Sequence, residues 1–337
     1  MAIIFTALLI LLIFFSNPSF AHHGCSGGIS GPGISGPIIT LPARTLPKKK
    51  FFISLGVNYS SLNPYSSTTL ISLHDKNIHM HDASNILKPS LSLGYGITDD
   101  FFISAIIPYL FKYDIRTAEH NELIKQGNST GIGDITFYGE YRFYKNLNKD
   151  IHAALISGLK IPSGVKHNED REGNQFEIDD QPGSGSWDPI IGLALSKGFK
   201  YINIDTSSTY KFSTMGVDGN TLGDVVSFNL AASHRVNNKY LNKILVKNIK
   251  NNDLNWDIIL EGNGQWSEKS TTKHHGEFEK DNNHGGLIVF LTPGIRTTLN
   301  KKWIANIGVS LPVIQALNGE QRAPNANIVF GVTRVFN

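Results

Sequence analysis

From Lys50 to the end of the chain, apolar and polar residues alternate with a period of two. The stretch "GIGDITFYGEYRF", residues 131–143, shows the pattern clearly. One set of alternate positions is Gly133, Ile135, Phe137, Gly139, Tyr141 and Phe143. The other is Ile132, Asp134, Thr136, Tyr138, Glu140 and Arg142. Such a split is the signature of a strand whose two faces meet different surroundings. Twelve stretches read this way, near 50–64, 88–98, 100–116, 131–145, 151–162, 187–198, 200–213, 222–236, 254–268, 285–299, 302–314 and 325–337. Each predicts one strand.

The connections alternate too. Short ones at 98–100, 145–150, 198–200 and 300–302 are interleaved with long polar ones at 65–87, 117–130, 163–186, 214–221, 269–284 and 315–324. The exception is 237–253, a basic insertion where a short turn is due. An even strand number with tight turns on one side and long loops on the other is the plan of an up-and-down outer-membrane barrel. A soluble sandwich would put the apolar face inward, whereas a membrane barrel turns it towards lipid. Alternation alone cannot choose. Length and repetition can, because the stretches far exceed the usual strand of about 5–6 residues and suit a tilted span of about 9–11 residues in hydrocarbon. Aromatic residues near strand ends (Phe51, Tyr59, Tyr109, Tyr113, Phe143, Trp187, Trp256, Trp266, Trp303) fit two interfacial girdles. Open edges cannot be satisfied in lipid, so the first and last strands are expected to pair. The expectation is an all-β fold, an antiparallel up-and-down transmembrane β-barrel of about 12 strands, over residues 49–337.

The N-terminus departs from this texture. Residues 1–21 hold an apolar run ending in Ser19-Phe20-Ala21 and read as a secretory signal peptide. A retained anchor is the alternative, but the run is short for a helical span of about 20 residues. "HHGC" lacks the aliphatic residue that lipidation of Cys25 calls for. Residues 22–48, rich in Gly, Ser and Pro, are expected to be a flexible leader. A net charge of +3 is too small to argue for nucleic acid. A lone cysteine excludes an intrachain disulfide framework.

"LSLGYGITDDFFISAIIPY", "GIGDITFYGEYRF", "GLKIPSG", "QPGSGSWDPIIGLALSK", "LTPGIR" and "LNGEQ" together resemble outer-membrane barrels termed transporters, which overlap the family labelled MetA-pathway of phenol degradation. The motifs appear in order, and the resemblance runs from about Ser26 to Asn337. It implies residence in a Gram-negative outer membrane after signal-peptide cleavage, contact with outer-membrane lipid, lipopolysaccharide and the barrel-insertion machinery, and transport of small solutes. Hydrophobic or aromatic compounds are favoured by analogy. Some relatives carry a His-rich insertion where this chain has the Lys/Asn-rich 237–253.

Asp134, Glu140, Arg142, Lys160, Asp188, Asp205, Lys211, Arg235, Asp257 and Glu261 fall on the inward face and are the candidate lumen and selectivity residues. They could equally be structural ion pairs filling a narrow barrel. The acidic loop 163–186 could fold inward as a constriction, bind Ca²⁺ through its oxygens, or stay solvated and be bridged by divalent cations to lipopolysaccharide. His74, His79 and His81, with His274 and His275, lie on long loops and could capture Zn²⁺ or Cu²⁺, as could His22, His23 and Cys25. A surface binding or metal-handling barrel, or a plugged structural one, is therefore the alternative to a channel. No G-x-S-x-G, HExxH or P-loop occurs, and adjacent Ser233 and His234 point to opposite faces, so the chain is not read as an enzyme.

Overall fold

A computed structural model describes residues 36–236 and 254–337, except Asn77, His79, His120, Asn121, His275 and Gly276. The barrel wall is built from β1 (Phe51–Ser61), β2 (Asn85–Gly96), β3 (Phe101–Glu119), β4 (Glu122–Ile132), β5 (Thr136–Asn146), β6 (Ile151–Lys160), β7 (Asp188–Gly198) and β8 (Ile202–Lys211). It continues through β9 (Val225–Val236), β10 (Leu254–Ser267), β13 (Gly286–Leu299), β14 (Trp303–Leu317) and β15 (Ala326–Phe336). A separate hairpin, β11 (Thr271–His274) and β12 (Glu277–Lys280), sits in a long loop. β1 pairs with β15 from Phe51↔Phe336 to Ser61↔Ala326, which closes the sheet into a 12-strand antiparallel barrel. Closure removes the edge that lipid could not satisfy.

β4 and β5 form one wall position broken in the middle. β3 pairs with β5 through Phe101–Ile106 and with β4 from Tyr109 onward. Between them Gly133, Asp134 and Ile135 leave the strand. The expected loop at 117–130 is thus a long hairpin. Its residues, "TAEHNELIKQGNST", are mostly polar, and the few apolar ones such as Ala118 and Leu123 pack beneath a helix rather than against lipid, so no regular period-two contrast marks it. Helix α1 (Ser67–His74), capped by the Ser66 side chain, buries Leu70 and Leu73 with Tyr65, Met80 and Ala118 on that hairpin.

The inverted polarity follows the alternation. Phe137, Tyr141 and Phe143 of β5 are exposed, whereas Glu140 and Arg142 are buried. In β10, Ile258 is exposed while Asp257 and Glu261 are buried. Exposed aromatics ring the short-turn end (Phe51, Tyr95, Tyr141, Tyr144, Tyr201, Trp303) and the long-loop end (Tyr109, Trp187, Phe212, Trp266). The turn from β13 to β14 is tight: Lys302 N–H donates to the Leu299 carbonyl at 3.0 Å, and Asn300 and Lys301 between them both have positive φ, which matches the twist of the flanking strands.

Candidate functional site in the barrel lumen

The leader does not stay outside. Residues 36–48 enter the lumen from the short-turn end and return to it, so the expected flexibility does not hold there. Three consecutive backbone N–H groups, of Ile38, Ile39 and Thr40, converge on the Glu261 carboxylate of β10. The Thr40 hydroxyl adds a fourth donor at 2.8 Å. Consecutive N–H groups around one carboxylate form an anion-binding nest. Further along, Leu41 N–H donates to Ser207 and Ala43 N–H to Ser196. Arg44 bridges Asp205 at 3.2 Å and Asp150 at 3.1 Å. Arg296, paired with Asp257 at 2.9 Å, also donates to the Gly36 carbonyl. The segment's side chains fill the lower lumen as well. Ile38 and Ile39 pack on Ile259 and Val329, Ala43 on Ala154 and Ile156, and Leu46 on Phe52 and Phe102. A Cβ at Gly96 would stand 2.1 Å from the Pro47 carbonyl, so a glycine is needed where the segment crosses the rim.

The other end is covered by residues 163–186, and the sequence motifs explain how. Asp134, in the break between β4 and β5, accepts from Gly164 N–H at 3.0 Å, Ser184 N–H at 2.8 Å and the Ser184 hydroxyl at 2.7 Å. Ser163 accepts from Ile135 N–H at 2.8 Å. A Cβ on Gly164 would lie 2.6 Å from Gly183 Cα, so the two ends of the loop touch backbone to backbone. Lys160 binds Asp188 at 2.7 Å and Asp134 at 3.2 Å, and donates to Ser184 and Ser186. Lys211 reaches Asp188 at 3.8 Å. The G-x-G-D, P-S-G and G-S-G-S-W-D motifs are therefore one knot that fastens this loop to the wall.

The far part of the loop is latched separately. Fully buried Asp180 pairs with Lys112 of β3 and with His81 at 2.8 Å, and Glu177 lies 3.6 Å from His81. Burial opposes a charged imidazole, but the Asp180 hydrogen bond and the Glu177 and Asp180 charges outweigh it and raise His81 to about 9. Burial likewise disfavours the Asp180 carboxylate, yet Lys112 and His81 hold it down at about 2. The His81 contribution is complete below its ordinary value of 6.5 and is lost as pH rises through about 9. The Asp180 contribution is complete above 3.8 and is lost as pH falls through about 2. Proteolytic nicking of residues 163–186 is therefore expected to accelerate between about pH 7 and about pH 10 in the native protein. In a His81→Ala variant the loop is expected to nick readily at both.

Between floor and lid lies a cavity of about 460 Å³. Ile39 and Leu41 of the leader line it from below, and Ile178 and Pro182 of the loop from above. Its wall mixes apolar residues (Ile106, Pro108, Ile190, Phe290) with Asn229, Asn263 and Gln265. Lys88, Lys112, Lys160 and Lys211 also line it.

The candidate lumen charges thus fall into three groups. Asp205, Asp257 and Glu261 hold the leader, while Asp134, Lys160, Asp188 and Lys211 fasten the loop. Arg142 serves the rim, pairing with Asp100 at 2.5 Å and with the Asp99 carbonyl. Glu140 is buried beside Arg142 with no partner at Oε1 among the described residues. Arg235, half-exposed, pairs with Asp257. The sequence reading missed residues 36–48 as a lumen element. The signal was present on the inward faces, where Phe52, Phe102, Ala154, Ile156 and Ile259 would meet water in an open pore. Of the loop histidines, His74 ends α1, His81 belongs to the latch, and His274 lies in β11. His79, His275, His22, His23, Cys25 and the signal peptide lie outside the described residues. No cluster of three or more His, Cys, Asp or Glu able to hold a metal ion occurs among the described residues. Ser233 is buried, whereas His234 is exposed and binds the Tyr201 carbonyl, so the two form no reacting pair.

An outer-membrane channel from Pseudomonas putida F1 is similar in structure, with a TM-score of 0.56 and 13% identity over 87% of this chain and 98% of that one. The toluene transporter TbuX of Ralstonia pickettii aligns over 95% of this chain and 96% of its own, with 10% identity and a TM-score of 0.40. No curated protein matches the sequence. The barrel fold is that of bacterial outer-membrane proteins. The profile of the family described as "MetA-pathway of phenol degradation" matches residues 82–311, and this chain belongs to that family.

Proposed function

We propose that the barrel conducts small hydrophobic or aromatic solutes across the outer membrane, with residues 36–48 as a displaceable gate on the periplasmic side. The carrying observation is the cavity of about 460 Å³ between the leader and the loop, lined by residues from most of the wall strands. Its volume is within the range of small-molecule sites, about 300–1,000 Å³, and its mix of apolar wall and a few amides suits a small aromatic ring. The floor is not part of the wall. It is one strand of backbone held by side chains, and it can leave without breaking a single sheet hydrogen bond. The solute class is taken from the family, whose description concerns phenol degradation.

Current through a gate-deleted barrel in a planar bilayer tests the solute class. Phenol added to one side is expected to interrupt the open-channel current, and glycerol, of similar size, is not. Equal interruption by both, or by neither, contradicts the aromatic reading.

A further inference from the structure

The seam where the barrel closes carries a cluster of cations outside the lumen. The five neighbouring strands β13, β14, β15, β1 and β2 contain no Asp or Glu. Their short-turn end nevertheless gathers cations. Lys48, Lys49 and Lys50 precede Phe51, Lys301 and Lys302 form the turn before Trp303, and Arg334 is placed opposite Trp303. Lys302 is tied to this spot because its carbonyl accepts from Val335 N–H at 2.8 Å. None of Lys49, Lys50, Lys301, Lys302 or Arg334 forms an ion pair with a carboxylate among the described residues. Arg44 and Arg142, at the same end, are by contrast paired inside the rim.

Aromatic rings fix the depth of this charge. The Arg334 guanidinium lies 4.9 Å from the Trp303 ring centre and 4.7 Å from that of Phe336. Phe336 stacks on Phe51 with centres 4.4 Å apart. Trp303 and Phe51 belong to the exposed aromatic ring at this end. Such rings sit at the level of lipid headgroups, so the cation is held at phosphate depth on the outer surface of the barrel. Beyond it towards the membrane centre, the outward side chains are Ile53 and Leu55 of β1, Ile307 of β14 and Phe330 of β15. That is a continuous apolar track for acyl chains.

We propose that this seam binds an anionic phospholipid of the periplasmic leaflet. Its phosphodiester would lie against Arg334 and the turn lysines, with its chains along the β1–β14–β15 face. A zwitterionic headgroup brings its own cation and so loses the charge complement. The proposal does not depend on whether the barrel conducts.

Native mass spectrometry of the whole protein, released from detergent with added phosphatidylglycerol or phosphatidylcholine, tests it. Phosphatidylglycerol is expected to be retained by the native protein, and phosphatidylcholine is not. Lys301→Gln/Arg334→Gln removes two charges and breaks no ion pair among the described residues, and about thirtyfold weaker retention is expected. Lys149→Gln/Lys200→Gln, on distant turns, is expected to retain the lipid. Equal retention of both lipids overturns the proposal, as does a seam variant that keeps its phosphatidylglycerol. Displacement of the lipid by millimolar inorganic phosphate also overturns it, by showing a site for free phosphate.

Discussion

Glu261→Ala is expected to release residues 36–48 and to convert a mostly closed barrel into one that opens often and for long periods. The carboxylate takes three backbone N–H groups and one hydroxyl. A hydrogen bond to a charged group contributes about 1.5–3 kcal/mol, and a buried donor left unpaired costs about 1–3 kcal/mol. Removing the one acceptor strands all these donors together, because the nest has no second acceptor of that charge. Even a loss of about 4 kcal/mol shifts the docked-to-released ratio by about a thousandfold. The wall is spared. Glu261 points inward from a strand whose sheet hydrogen bonds run to β9 and β13. Heat-modified mobility of the folded barrel is therefore expected to stay native while open probability in a bilayer rises. Glu261→Gln keeps one acceptor but presents an NH₂ group to the nest, so an intermediate effect is expected. Closed behaviour in a folded Glu261→Ala barrel would mean that the remaining tethers, the Arg44 and Arg296 contacts and the apolar packing of Ile38, Ile39 and Leu46, hold the segment without the nest.

Asp134→Ala is expected to free residues 163–186. Among the described residues, Asp134 is the only side chain that joins both Gly164 and Ser184, the two ends of the loop, to the strand break, and it also neutralises Lys160. Three hydrogen bonds to one charge are lost, which puts the local cost at several kcal/mol (about 3–6). Lys160 keeps Asp188 at 2.7 Å, so the wall beneath survives. Limited proteolysis is expected to cut between 163 and 186 at least tenfold faster than in the native protein. The His81–Asp180–Lys112 latch would then be the remaining tether, and nicking of Asp134→Ala is expected to rise further above about pH 9. An uncut loop in the variant would show that the latch suffices.

Much of the wall was legible because lipid and lumen impose opposite chemistry on alternate residues. Phe137 against Glu140, and Ile258 against Asp257, carry that contrast in every span. What lay above the membrane was not legible. The β3–β4 hairpin packs Ala118 and Leu123 beneath α1 and β11–β12 sits in a long loop, so neither meets lipid on one face and no regular alternation betrays them. The lumen charges could be located from parity alone, but parity says nothing of partners. Asp205 and Arg44 are separated by 161 positions in sequence, and only the closed barrel brings them together. Residues 36–48 of the leader were misjudged because its Gly, Ser and Pro content reads as flexible. Its ordering comes from backbone N–H groups, which every non-proline residue carries and which composition cannot rank. The apolar inward residues at the lower lumen were the available clue.

Residues 36–48 are expected to be what closes the lumen at its short-turn end. Single-channel current in a planar bilayer, compared between the full chain and a variant lacking residues 36–46, tests it most directly. The account predicts rare brief openings in the full chain and stable conductance steps in the deletion. Equal currents in the two would contradict it, and so would silence in a deletion variant whose insertion into the bilayer is confirmed.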